Sequence, residues 1–347
     1  MTVASVKAKL KKVADTEGKD FNFILMHYFI ERLLYRLSVS PYAGNFVLKG
    51  GLLLYTVLEQ RARATRDIDL LAYHLQNLPD EMVRIFREIA MIPGDDAVSF
   101  DTEAISVERI KEDADYQGIR IKLTGFLDRS RHILQFDIGF GDVIIPKPVD
   151  MTYPTLLNME PPHLKAYTLE SVIAEKFQAG VYLAEANSRM KDFYDIHELC
   201  ATFDFEGSTL YEAITQTFEC RKTEMPEVPT IFKDTFPLLG DKQTQWTAFQ
   251  RRLGVTLDKD FPTVMTAIKG FLLPVYGSLY RKEPFSGHWD RAVQAWKGSV
   301  PEYFGAFLDA ELTPSTEGDF YDVKTGMITR GTYIKNKKPL WEIPQNG

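Results

Sequence analysis

The chain has 347 residues, of which 45% are hydrophobic and 26% charged, enough to bury one large core or two moderate ones. A formal charge of -7 and a pI near 5.5 exclude wholesale wrapping of nucleic acid, so any contact with RNA or DNA must use a local basic patch. The only cysteines, Cys200 and Cys220, form no C-x-x-C pattern, which excludes a disulfide framework and a zinc ribbon and fits a reducing compartment.

The start, MTVASVKAKLKKV, is basic but has no apolar run of a secretory signal, and no apolar stretch reaches the ~18 residues of a membrane span. The expectation is a cytoplasmic protein without a membrane segment. Residues 21–37 place Phe21, Ile24, Leu25, Tyr28 and Phe29 at helical spacing, with Glu31 and Arg32 among the polar positions. SVSPYAG ends that helix, NFVLKGG is a short apolar run, and residues 52–58 read as a helix that opens directly after Gly50 and Gly51.

After the charged loop EQRARATR, the segment DIDLLAY alternates and then turns apolar, as a half-buried strand does. Residues 78–92 read as a helix. AISVERI, YQGIRIKLTGFL and HILQFDIGFGDVI read as three strands, giving an antiparallel or mixed sheet built onto the strand of Asp67. Beyond the proline-rich NMEPPHLKAY the pattern is helical, with Thr168 as an N-cap and Glu170 favoured in the first turn. The organisation expected is a sheet-containing catalytic half over 1–160, a helical half over 161–300 and a hairpin-forming tail over 301–347.

Two carboxylates, Asp67 and Asp69, fall on one face of the DIDL strand, where they repel unless something positive sits between them. Glycine lets a backbone approach a ligand closely, and a helix N-terminus with free N–H groups suits an anion, so Gly50 and Gly51 predict a phosphate site. A magnesium ion resolves the repulsion, because it takes a carboxylate or two together with substrate phosphates. A third carboxylate would serve a second metal. Asp137, within the apolar run LQFDIGF, is the first candidate and Asp142 the second. Two further Asp-x-Asp pairs, Asp113 with Asp115 and Asp258 with Asp260, read as solvated loop charges. The six histidines show no H-x-x-x-H spacing, so zinc hydrolysis has no support, and His197 reads as a packing residue.

FVLKGG, RATRDIDL, QFDIGFGD, AEKFQA and NSRMKDFYDIHEL, occurring in that order, resemble the AbiEii/AbiGii toxin family of nucleotidyltransferases, a branch of the DNA polymerase β-like superfamily. The resemblance spans roughly residues 21–199 and continues diffusely to about residue 280. It implies an α+β fold in which a polymerase-β-like mixed sheet with helices is followed by a mostly helical half and a short C-terminal tail. It also implies a two-metal enzyme, dependent on Mg2+ or Mn2+, that moves a nucleoside monophosphate from an NTP. In that pattern Gly50 and Gly51 hold phosphates, with Thr65 standing where relatives often have Ser, and Asp67 and Asp69 bind metal. The late motifs map a lysine and an aspartate onto Lys176 and Asp192. The family further implies a tRNA 3′ end as acceptor, an antitoxin encoded nearby, and a role in abortive infection or phage defence.

The residues themselves leave some roles open. Lys176 either neutralises phosphate charge or pairs with Glu170, Glu175 or Asp192, while Asp192 and Asp195 share a helix face near Arg189 and Lys191. The arginines at 61, 63 and 66 are either a solvated run or a landing site for an RNA 3′ end. A protein or small-molecule acceptor is the alternative within the same chemistry; a non-catalytic NTP-binding module is the alternative outside it.

Overall fold

The computed structural model describes residues 1–113, 116–253, 259–298, 317–322 and 327–332. Two compact units divide after Thr168. The first opens with helix α1 (Val3–Glu17) and helix α2 (Phe21–Ser38), the second of which starts where Asp20 accepts from the Phe23 N–H at 3.1 Å.

Helix α2 is buried almost all round, including Glu31, Arg32 and Arg36. The sequence placed Glu31 and Arg32 on the polar side; instead they form an inward ion pair of 2.7 Å, and Arg36 binds Asp96 at 2.6 Å. A buried charge persists only when paired and hydrogen-bonded, and here the partners are backbone and side chains of later loops, which spacing along one helix cannot reveal. Glu31 accepts from the Leu156 N–H at 2.7 Å and Arg32 donates to the Glu160 carbonyl at 3.0 Å.

Strand β1 (Phe46–Lys49) runs straight into helix α3 (Gly50–Leu58), so the two glycines are the first turn of the helix and not its prelude. There follow β2 (Asp67–Ala72), α4 (Pro79–Ala90), β3 (Ser99–Phe100), β4 (Ser106–Asp113), β5 (Tyr116–Leu127), β6 (Ser130–Phe140), β7 (Val149–Thr152) and β8 (His163–Ala166). They form one mixed sheet in the order β3-β5-β6-β2-β1-β8-β7, with β4 also paired to β5. Strand β2 is antiparallel to β1 and parallel to β6, and β6 is antiparallel to β5.

Alternation assigns the two faces. Phe86 of α4 meets Phe46 and Phe136 with ring centroids 5.8 and 4.9 Å apart, so the face carrying Phe46, Ile68 and Phe136 is packed under the helix. The opposite face therefore carries Asp67, Asp69 and Asp137.

The second unit is mostly helical: α5 (Leu169–Leu183), α6 (Met190–Thr202), α7 (Gly207–Cys220), α8 (Gly240–Arg252) and α9 (Phe261–Arg281). Asp260, expected as a solvated loop charge, caps α9 by accepting from the Thr263 N–H at 2.9 Å; Asp115 and Asp258 lie outside the described residues. Three strands of two or three residues, β9 (Phe205–Glu206), β10 (His288–Asp290) and β11 (Ala295–Lys297), form a small antiparallel sheet anchored by Trp289 and Trp296 against Phe271. The tail contributes an antiparallel pair, β12 (Glu317–Asp322) with β13 (Met327–Thr332). Among the described residues no helix is long and apolar enough to cross a membrane.

Candidate active site

Gly50 has φ +65°, which side chains rarely adopt, and a Cβ built there would lie 1.9 Å from Asp69 Oδ2. Asp69 therefore presses against the first turn of α3, and the Gly51 N–H donates to the same oxygen at 3.4 Å. A Cβ on Gly51 would meet the Thr65 hydroxyl at 2.8 Å and the Arg63 guanidinium at 3.0 Å. The loop between helix and strand thus folds back over the helix start, bringing a carboxylate, a hydroxyl and a guanidinium to one place. Residues 50, 51, 65 and 69 are brought together there.

Asp67 and Asp69 stand two apart on β2, and Asp137 on β6 is the register partner of Asp69. The three side chains share one face, at a strand separation of about 4.8 Å. Asp67 is exposed, and Gln135 donates to it at 3.3 Å. Asp137 differs: Arg120, its partner on β5, grips it with Nε on Oδ1 at 2.7 Å and Nη2 on Oδ2 at 2.8 Å. Hydrogen bonding to Asp137 holds the Arg120 guanidinium above its usual range despite partial burial, and the charges of Asp137, Glu108 and Asp67 add to this.

Asp142, the second candidate for a third carboxylate, is buried and bound by Lys49 Nζ at 2.8 Å. That ammonium also lies 5.4 Å from the Tyr167 ring centroid. Sequence reasoning passed over Lys49, Arg120 and Gln135. Period-two alternation could have flagged Arg120, which lies between the buried Ile119 and Ile121, but its pairing with Asp137 depends on register.

Magnesium or manganese suits the donors available here. Asp67 and Asp69 are hard oxygen ligands beside a helix N-terminus, and among the described residues no three His, Cys, Asp or Glu side chains are arranged to enclose an ion by themselves. A magnesium-type ion takes one or two carboxylates and completes its shell with substrate phosphates and water.

In the second unit Lys176 Nζ donates to Asp192 Oδ1 and Asp195 Oδ2, both at 2.8 Å, and Arg189 reaches the other oxygen of Asp192 at 2.6 Å. Burial alone would raise the Asp192 carboxyl, but the Lys176 and Arg189 charges outweigh it and hold it at about 2. Of the partners left open for Lys176, Asp192 is found bound to it, together with Asp195. His197 is buried between Glu198 at 2.9 Å and Lys259 at 3.1 Å.

The family profile described as "Nucleotidyl transferase AbiEii toxin, Type IV TA system" matches residues 32–269, more than half of the chain. This protein belongs to the AbiEii nucleotidyltransferase toxin family. Its fold is the mixed α/β fold that the resemblance implied, and AbiEii proteins are toxins of type IV toxin–antitoxin systems. Among solved structures it is similar to MenT4, a nucleotidyltransferase toxin from Mycobacterium tuberculosis H37Rv, at 15% identity and TM-score 0.45, over 82% of this chain and 99% of that one. JHP933 from Helicobacter pylori is similar at 12% identity and TM-score 0.43, over 75% and 94% of the two chains. A comparison with curated protein sequences finds no match.

Proposed function

We propose that this AbiEii protein transfers a nucleoside monophosphate from an NTP to the 3′ hydroxyl of an RNA, a tRNA by family resemblance, using Mg2+ or Mn2+ held by Asp67 and Asp69. The observation that carries this reading is the contact of Asp69 with the glycine turn of α3, which puts a metal-binding carboxylate at an anion-binding helix start. A triphosphate on that turn lies beside the carboxylate pair, with Arg63 and Thr65 over it. The ion, when bound, offsets phosphate charge and polarises the reacting phosphoryl group. The acceptor oxygen bonds to the α-phosphorus, the bond from that phosphorus to the bridging oxygen breaks, pyrophosphate leaves, and the hydroxyl proton passes to water.

Lys176, oriented by Asp192 and Asp195, is a further cation that we assign to phosphate. The exposed Arg61 and Arg66, with Arg63, form the local basic patch for RNA, and its contacts weaken steeply with salt. The cellular reading is cytoplasmic toxicity relieved by an antitoxin encoded nearby, in phage defence by abortive infection.

The test incubates the protein with Mg2+, each α-labelled NTP in turn and total tRNA, beside the Asp67→Ala/Asp69→Ala variant. Label on RNA with wild type alone is expected. Label on protein instead would move the acceptor to a polypeptide, and NTP binding without pyrophosphate release would replace the enzyme by a binding module.

A further inference from the structure

Register places four charged side chains in one line across four strands. Arg120 on β5 faces Asp137 on β6, Asp137 faces Asp69 on β2, and Asp69 faces Lys49 on β1. Each end cation has taken a carboxylate: Lys49 takes Asp142, and Arg120 takes both oxygens of Asp137. Asp69 stands between these two pairs in the line, with Asp67 two residues along β2 on the same face.

A second divalent ion at Asp137 would have to break two short charge-assisted bonds together, and would strand the guanidinium. The guanidinium has capacity left on its outer side. Its Nη1 stands 3.7 Å from Glu108, an ion pair beyond hydrogen-bond length, while Glu108 is hydrogen-bonded by Lys122 at 3.2 Å. The Arg120 side chain is 30% exposed against 14% for Asp137, so the cation is the partner that reaches the open face. A planar, permanently charged fork aimed by a carboxylate suits phosphate oxygens.

We propose that Arg120, aimed by Asp137, supplies the second positive charge of the reaction centre, so that one divalent ion on Asp67 and Asp69 suffices. The ligand is a phosphate oxygen of the nucleoside triphosphate. Asp137 is then a positioning residue that acts through Arg120. The inference rests on the nucleotidyl-transfer reading above and changes its metal count.

Bound Mn2+ is counted by electron paramagnetic resonance on the full chain, with each of the four α,β-methylene NTPs in turn, and kcat and KM are measured on RNA. One Mn2+ per chain is expected in wild type, Arg120→Ala and Asp137→Asn. Arg120→Ala should lower kcat by about 10²-fold to 10³-fold, the range for removing one fixed donor to a developing charge. Arg120→Lys should restore part of that loss, and Arg120→Ala/Asp137→Asn should be no slower than Arg120→Ala alone. Two Mn2+ in wild type falling to one in Asp137→Asn, or an unchanged kcat in Arg120→Ala, would overturn the proposal while leaving nucleotidyl transfer intact. Asp137→Asn preserves shape, and circular dichroism reports whether each variant folds. Neither Mn2+ binding nor transfer in wild type would overturn the reaction and the inference together.

Discussion

Around Lys176 one ammonium group is shared by two carboxylates that solvent scarcely reaches, and the guanidinium of Arg189 adds to them. Around Asp69 the carboxylates stand together instead, since Asp67, Asp69 and Asp137 share one sheet face and Arg120 grips Asp137. In the first cluster the carboxylates are buried, so removing its cation strands buried charge. The second leaves Asp67 exposed on the sheet face, where a cation from solvent can reach it.

Substitutions should break the comparison most sharply at the carboxylates of the sheet face. Asp67→Ala/Asp69→Ala should lower nucleotidyl transfer by at least about 10³-fold while unfolding shifts by no more than about 1 kcal/mol, the typical size for a point change, since Asp67 is exposed and Asp69 half-buried. Denaturant titration and label transfer on the same preparation would check both halves. Stability lost in proportion to activity would make the pair structural.

Lys176→Met should do the opposite. Leaving Asp192 and Asp195 buried without their shared cation should cost about 3–5 kcal/mol in urea unfolding, the scale for breaking a buried pair from one side. A stable variant that has lost only transfer would instead make Lys176 purely a phosphate ligand.

Next in size, Gly50→Ala should destabilise the first unit by about 1–3 kcal/mol, from its positive φ and the collision with Asp69. Transfer should fall more than stability does, because the displaced atom is the carboxylate oxygen. Equal losses would place the strain elsewhere.

The smallest effect is on pH. Asp192 titrates at about 2 in the folded chain against 3.8 ordinarily, so the folded state binds fewer protons. Its contribution is complete above about pH 4 and is lost as pH falls towards 2. Asp192→Asn should therefore flatten the difference in unfolding free energy between pH 5 and pH 2, on the order of 2 kcal/mol. An unchanged acid slope would mean that Lys176 relies on Asp195 alone.

The candidate site was legible where its logic is local. Gly50, Gly51, Asp67 and Asp69 lie within twenty residues of chain, and glycine tolerance with two-residue alternation carries their meaning. Arg120 and Lys49 were illegible because their partners are fixed by strand register, which no window of sequence contains. Glu31 and Arg32 were misplaced for the same reason, since the groups that satisfy them arrive more than a hundred residues later. In the second unit the helices were readable from their 3.6-residue pattern. The β9–β10–β11 sheet was not, because strands of two or three residues are too short to show a period.

The glycine turn also bears on how the toxin could be lost. Every single-nucleotide missense change in a glycine codon introduces a Cβ, and at Gly50 any Cβ falls on Asp69. In a population grown without antitoxin, a missense change at this codon should therefore disarm the toxin whichever residue replaces it, and most such variants should still make a folded chain. Gly50 would then be the shortest genetic route from poison to harmless passenger.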